Sequence, residues 1–177
     1  MRLQIALGTM AILACGVAAG IDTGQPMPRF NATTIDGRRF TNDTVKGKVV
    51  LVQIWATWCQ YCRRDQPAVD AISQEFGDQR LLVLAVNAGE SKIKVKLYLA
   101  RSPRNVPVVL MDKTNLAALF PVRVYPYYVA VDADGKIAGE LRGSGGEPAL
   151  RNLLRKAGLL RGWTPFAHAP SGREAPL

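Results

Sequence analysis

The chain has 177 residues, 48% of them hydrophobic and 21% charged, and a formal net charge of +9. This length suits one domain with short tails, and this composition excludes a chain that is disordered throughout. The lysines and arginines are scattered and form no run of five like charges, so they predict a solvated surface rather than a nucleic-acid site. Attraction to acidic lipid headgroups is the weaker alternative.

The first 19 residues have the composition of an export signal. One arginine precedes an apolar stretch, Ile5 to Ala19, that is too short and too rich in glycine for a spanning helix. Val17-Ala18-Ala19 offers the small residues that a signal peptidase prefers, whereas Ile12-Leu13-Ala14-Cys15 resembles a lipobox in which Cys15 would be lipidated. A signal anchor that keeps Cys15 is the third alternative. We therefore predict an exported, periplasmic protein attached to the cell membrane through its N-terminus, with the mode of attachment left open.

Composition divides the rest of the chain into a linker at 20–27, a folded domain at 28–160 and a flexible tail rich in Gly, Pro and Ala at 161–177. The domain opens with two short extended runs around Asp36-Gly37, a strong turn signal that predicts an N-terminal β-hairpin.

A buried strand and a helix are predicted around the two neighbouring cysteines. Val49 to Trp55 is an apolar run without alternation, which is typical of a strand buried on both faces. A helix opens at Thr57 to Cys59, and its apolar residues recur at helical spacing until Gly77 can end it. Pro67 lies inside this helix and predicts a kink.

The second half of the domain continues the alternation of strands and helices. Leu81 to Val86 is a second buried strand. Ser91 to Arg101 fits either a strand or a helix, and we predict a helix because a crossover between parallel strands needs a dozen or more residues. Strands follow in VPVVLM, YYVAVD and KIAGELRG, a helical turn in TNLAALF, and a closing helix in EPALRNLLRKAG. This order predicts an α/β fold with a central mixed sheet and helices on both faces.

The Cys59-x-x-Cys62 pair allows three interpretations. Zinc usually takes four ligands, and the single histidine lies in the tail, so we expect no metal site. A structural disulfide would close a loop too short to remove much entropy from the unfolded chain. A thiolate at a helix N-terminus is stabilised and attacks disulfides, which predicts Cys59 as the nucleophile and Cys62, one turn deeper, as the resolving cysteine of a redox disulfide.

The segment WATWCQYCRRDQP, residues 55–67, resembles the active site of thioredoxin-fold proteins of the TlpA/ResA type. These are exported, membrane-attached thiol–disulfide oxidoreductases of bacteria. The resemblance extends over about 28–160 and includes the hairpin, the turn at Lys46-Gly47-Lys48 and the stretch VRVYPYYVAVDADGKI. It implies a thioredoxin-like fold in which Pro126 is a cis-proline that faces the cysteines. The backbone of Tyr125 would then meet a substrate strand, with Trp58 as part of the substrate platform.

Two residues depart from the related patterns. Gln53 stands where thioredoxin has a buried aspartate, so that base is missing. Asp65 stands where the TlpA/ResA type usually has glutamate, and the resemblance implies that it tunes the thiols and relays a proton. The alternative is a solvated carboxylate on the helix surface.

The resemblance implies a reductant of disulfides in partner proteins, acting in cytochrome c maturation or copper-site assembly. It implies no cofactor and a membrane thiol protein as electron donor. A peroxiredoxin would need Pro-x-x-x-Thr-x-x-Cys, but Thr57 lies two residues before Cys59 and no proline is close. A Sco-like copper chaperone would need Cys-x-x-x-Cys and a distant histidine in the fold, and both are absent from the sequence.

Overall fold

A computed structural model of the chain describes residues 21–160. The predicted signal with Cys15 and the predicted tail lie outside them. The described elements are strands β1 (Asn31–Thr34), β2 (Arg39–Thr41), β3 (Val49–Trp55), β4 (Leu81–Asn87), β5 (Val108–Thr114), β6 (Tyr127–Val131) and β7 (Ile137–Arg142), helices α1 (Gln60–Arg80), α2 (Lys92–Arg101) and α3 (Gly146–Lys156), and a 3-10 helix (Leu116–Leu119). No helix within this part of the chain is long and apolar enough to span a membrane.

The seven strands form one mixed sheet in the order β2-β1-β5-β4-β3-β6-β7. The three central strands β5, β4 and β3 are parallel, while the β1–β2 hairpin and the β6–β7 hairpin extend the sheet antiparallel at its two edges. Strands β3 and β4 pair in register from Val49↔Leu81 to Trp55↔Asn87. Both therefore end at the same edge of the sheet, where their following loops meet.

Two apolar cores cover the two faces of the sheet. Strand β3 is buried along its whole length, and its side chains alternate between the cores, with Leu51 on one face and Val52 on the other. The first core takes the buried faces of α1, α2 and α3. The second takes Leu116 of the 3-10 helix and the segment around Met27 and Phe30. Helices thus lie on both faces, as predicted, although the second face has only the short one.

The local predictions are confirmed with small shifts. The hairpin forms, Ser91 caps a helix rather than a strand, and β5 begins two residues later than VPVVLM and runs on to Thr114. In α1 the torsions leave helical values at Gly77, whose φ is 62°, and stay helical at Pro67, where a kink is predicted. Glycine tolerates this left-handed φ because it has no Cβ.

The described part of the predicted linker packs against the domain. Gly24 donates to the Ile137 carbonyl at 2.8 Å, and Ile137 donates back to the Gln25 carbonyl at 2.9 Å. Met27 is buried in the second core. The segment thus adds backbone pairing beside β7, which its Gly/Pro composition did not indicate.

Candidate active site

The two neighbouring cysteines form a disulfide at the first turn of α1. Cys59 caps the helix, and its Sγ accepts a hydrogen bond from the Cys62 backbone N–H at 3.1 Å. The side chains are nearly covered, with 5% of Cys59 and 2% of Cys62 exposed. In the reduced form the sulfur of Cys59 would face the unpaired N–H groups and the positive end of the helix dipole, which favour a thiolate.

The surroundings of the cysteine pair are basic and aromatic. Arg63 donates to the Thr57 carbonyl at 3.0 Å, and the Arg64 guanidinium lies 5.1 Å from the centre of the Tyr61 ring. Trp58 is 60% exposed beside Cys59. An exposed aromatic ring next to a reactive sulfur can serve as a platform for a substrate chain.

The loop before α1 is held by Glu90, which the sequence reasoning missed. Its carboxylate accepts from the backbone N–H and the hydroxyl of Thr57, both at 2.6 Å, and from Asn87 and Lys94, both at 2.8 Å. The side chain of Glu90 is only 6% exposed. Only the sheet topology could have indicated this contact. Glu90 follows β4 and Thr57 follows β3, and these two strands are parallel neighbours that end at the same edge of the sheet.

Burial alone would raise the pKa of Glu90, but the hydrogen bonds from Lys94, Thr57 and Asn87 outweigh it and lower the pKa from 4.5 to about 2. Because the folded pKa is the lower one, the carboxylate stabilises the fold above the unfolded value and loses that contribution as pH falls toward 2. The shift corresponds to about 3 kcal/mol.

We therefore expect the wild type to exceed Glu90→Gln in unfolding free energy near pH 7, and this difference to shrink toward zero near pH 2. Urea unfolding followed by tryptophan fluorescence across this range measures the difference. Glu147→Gln is the matched control, because that carboxylate is half exposed and forms a surface ion pair with Arg151. If the difference in unfolding free energy between wild type and Glu90→Gln changed with pH no more than the difference for Glu147→Gln does, the assigned role of Glu90 would be contradicted.

Asp65 is fully buried, so the alternative of a solvated surface carboxylate is wrong. The Tyr128 hydroxyl donates to its Oδ2 at 3.1 Å, and the Ser144 hydroxyl donates to its Oδ1. Burial, together with the charge of Asp65, raises the pKa of the Tyr128 phenol, which therefore stays a donor. Asp65 lies three residues after Cys62 in α1, one turn further along the same side of the helix.

A chain of buried hydrogen bonds continues behind Asp65. Its partners determine which group donates and which accepts at each step. Arg104, 1% exposed, donates from Nε and Nη2 to Asp70 Oδ1 at 3.1 and 2.8 Å and from Nη1 to Gln53 Oε1 at 2.8 Å. Since arginine only donates, the oxygen of the Gln53 amide must face it, and the amide nitrogen faces Tyr128 Oη at 3.3 Å. The proton of Tyr128 is thereby directed to Asp65. Arg104, Tyr128 and Ser144 were all missed from the sequence, since each reaches the chain from a distant segment.

The Tyr125-Pro126 bond is cis, as the resemblance implied. Tyr125 packs against the core cluster that contains both cysteines, and its ring meets the Trp58 ring edge-on with centroids 5.8 Å apart. The structure thus brings Trp58 and Tyr125 together beside the disulfide. Their part in binding a substrate stays a prediction.

Residues 22–154 match the Redoxin family. The chain belongs to the Redoxin family. It is 36% identical over 121 residues to the thioredoxin-like protein YneN of Bacillus subtilis strain 168, covering 67% of this chain and 70% of YneN. It is 29% identical over 164 residues to the thiol-disulfide oxidoreductase ResA of the same strain, covering 86% of this chain and 92% of ResA.

Two solved structures are similar to this Redoxin-family chain. The pneumococcal exposed lipoprotein thioredoxin Etrx1 of Streptococcus pneumoniae has a TM-score of 0.62 and 28% identity, over 72% of this chain and 98% of its own. A thiol:disulfide interchange protein of Chlorobium tepidum has a TM-score of 0.66 at 23% identity, over 78% and 99%, and shows the shared fold. The predicted thioredoxin-like fold is confirmed.

The family, these relatives and the Cys59-x-x-Cys62 pair make the protein a thiol–disulfide oxidoreductase of the ResA and thioredoxin-like type. Its substrates are thiol or disulfide proteins. When such an exchange runs in the direction that reduces the partner, the thiolate of one cysteine attacks a partner disulfide, forms a mixed disulfide and releases one partner thiolate. The second cysteine then attacks the mixed disulfide, so that two electrons pass to the partner and the enzyme pair is oxidised.

Proposed function

We propose that this oxidoreductase is exported, is held at the cell membrane through its N-terminus and reduces disulfides in partner proteins. Cytochrome c maturation and copper-site assembly are the two settings that the TlpA/ResA resemblance suggests, with a membrane thiol protein as the electron donor. Support for export comes from the apolar N-terminal stretch and the lipobox-like Ile12-Leu13-Ala14-Cys15. Etrx1, to which this chain is similar, is named an exposed lipoprotein thioredoxin.

The observation that carries the proposed chemistry is a disulfide at a helix N-terminus with a buried carboxylate one turn beyond it. Cys59 attacks first, because it caps the helix and its thiolate is stabilised there. Cys62 must then lose its proton before it attacks the sulfur of Cys59. Asp65 takes that proton, a role supported by its position one turn beyond Cys62 on the same side of α1.

Reduction of partners is tested by trapping them in cells on a Cys62→Ser protein. Cys59 can still attack a partner disulfide, but no resolving thiol remains, so mixed disulfides with partners should accumulate. They should be absent in Cys59→Ser cells. The adducts should form with partners that are isolated as disulfides and should disappear on treatment with dithiothreitol. Accumulation only after the cells are treated with an oxidant would point to disulfide formation instead of reduction.

Fractionation of the same cells tests attachment. The trapped adducts should sediment with membranes, and Cys15→Ala should release them and change the mature mass if Cys15 carries the lipid. A soluble mature form that begins at Gly20 would remove the lipoprotein proposal and leave export intact.

A further inference from the structure

The large apolar side chains that remain exposed all lie at one end of the molecule. Within residues 21–160 they flank the disulfide, precede the cis-proline or lie on α2, namely Trp58, Tyr61, Val124, Ile93 and Leu97. Exposed apolar side chains that gather in one region mark an interaction surface more often than single scattered ones do. Those beside the cysteines and the cis-proline belong to the redox site already described, whereas the two on α2 do not.

Helix α2 exposes an apolar ridge. Ile93 and Leu97 are one helical turn apart. Ile93 is 73% exposed and Leu97 is 60% exposed. The helix buries only Val95 fully, while Tyr98 packs its ring against Trp55 at 5.5 Å. The ridge of Ile93 and Leu97 therefore points away from the core.

A groove joins this ridge to the redox site. It is shallow and open to solvent, holds about 390 Å³ and runs between Thr57 and α2, where Ile93, Lys94, Leu97 and Arg101 line it. Thr57 lies two residues before Cys59 and is fixed by Glu90. A chain that occupies the groove therefore lies next to the disulfide, where the bond to be exchanged must lie.

All charged residues of helix α2 are positive. Helix α2 carries Lys92, Lys94, Lys96 and Arg101, all exposed, and no acidic residue. Lys94 is paired with Glu90, but no carboxylate in the described part of the chain pairs with the other three. These cations flank Ile93 and Leu97 on the same helix. The chemistry complementary to such a surface is an apolar side chain with aspartate or glutamate beside it.

We infer that the α2 ridge and its groove dock an acidic, apolar-anchored segment of the protein whose disulfide Cys59 attacks. This inference rests on the proposed function and names the class of substrate: proteins with acidic residues and a large apolar side chain close to the exchanging cysteine. The apolar side chain fills the groove between Thr57 and α2 and packs against Ile93 and Leu97. The carboxylates meet Lys92, Lys96 and Arg101, which raises the association rate at low salt.

Two activated peptides test the inference on the full chain with Cys15→Ala and Cys62→Ser. Each has one cysteine, joined by a disulfide to 5-thio-2-nitrobenzoate, with leucine and glutamate on both sides. In the second peptide, the neutral control, glutamine replaces each glutamate. Cys59 attacks the peptide sulfur, the new disulfide joins peptide and protein, and the coloured thiolate leaves and is counted. The acidic peptide should react about tenfold faster at low ionic strength, and this advantage should fall at high salt.

Variants separate the ridge from the rest of the surface. Lys92→Gln with Lys96→Gln should remove most of the preference for the acidic peptide, and Leu97→Ser should slow both peptides. The matched control, Lys46→Gln with Lys136→Gln, removes the same charge from the far end of the sheet and should leave the preference intact. Labelling of Cys59 by uncharged iodoacetamide should be equal in all of these proteins.

The outcomes are distinguishable. Equal rates with both peptides would overturn the acidic docking surface and leave the oxidoreductase intact. No reaction with either peptide, while iodoacetamide still labels Cys59, would overturn the proposed reduction together with the inference. A third outcome combines equal rates for the two peptides with sedimentation of the protein on phosphatidylglycerol vesicles that is lost in Lys92→Gln with Lys96→Gln. This outcome would assign the ridge to a membrane surface and overturn its role in docking proteins.

Discussion

Replacing Arg104 with methionine should lower the free energy of unfolding by about 3 kcal/mol. The guanidinium is 1% exposed and is hydrogen bonded to Asp70 and Gln53. Its removal leaves the Asp70 carboxylate, 14% exposed, without its partner and leaves the oxygen of the buried Gln53 amide unpaired. Breaking a buried pair by removing one member leaves an uncompensated charge, which costs far more than the pair contributes.

The double variant Arg104→Met with Asp70→Leu should recover most of this loss, because neither member of the pair is left as an uncompensated charge. Arg151→Met is the matched surface control. Arg151 pairs with Glu75 and Glu147 but is one-third exposed, so its loss should cost less than about 1 kcal/mol. Urea unfolding of the disulfide form measures all three. A loss in Arg104→Met no greater than in Arg151→Met would show that the buried chain of hydrogen bonds contributes little to the fold.

Replacing Asp65 with asparagine should slow the resolving attack of Cys62 by a factor on the order of 10². Asparagine keeps the size of the side chain but cannot take up a proton, so Cys62 must lose its proton to solvent from a buried site. The reaction is isolated when Cys59 carries 5-thio-2-nitrobenzoate, because its release then reports the attack by Cys62 alone. In the variant this rate should keep rising into alkaline pH after the wild-type rate has levelled.

Ser144→Ala is the control for this variant. It removes one hydrogen bond to Asp65 but keeps the carboxylate, so the resolving rate should change only a few-fold. Alkylation of Cys59 by iodoacetamide should be similar in both variants, since the helix N-terminus is unchanged. A resolving rate in Asp65→Asn equal to that of Ser144→Ala would show that the buried carboxylate holds the structure and moves no proton.

The sequence by itself determined the local framework of the site. A run of seven residues that is rich in β-branched apolar side chains and lacks alternation is typical of a strand covered on both faces, and the Cys-x-x-Cys that follows it opens the next helix. The turn at Asp36-Gly37 and the cysteine cap are set by residues that are close along the chain. Such features depend on backbone preferences and on spacing, and both can be read without knowing what packs against them.

Only the tertiary structure decided the surroundings of the two sulfurs. Periodicity places Asp65 on α1 but cannot say that Tyr128, 63 residues away, covers it, so buried and solvated carboxylates looked alike. Arg104 and Gln53 are 51 residues apart, and Glu90 and Thr57 are 33 apart. The parallel pairing of β3 and β4 brings Glu90 and Thr57 together where the two strands end, and the antiparallel pairing of β6 with β3 sets Tyr128 opposite Gln53. Hydrogen-bond partners of buried polar groups are therefore set by strand order, which no local pattern encodes.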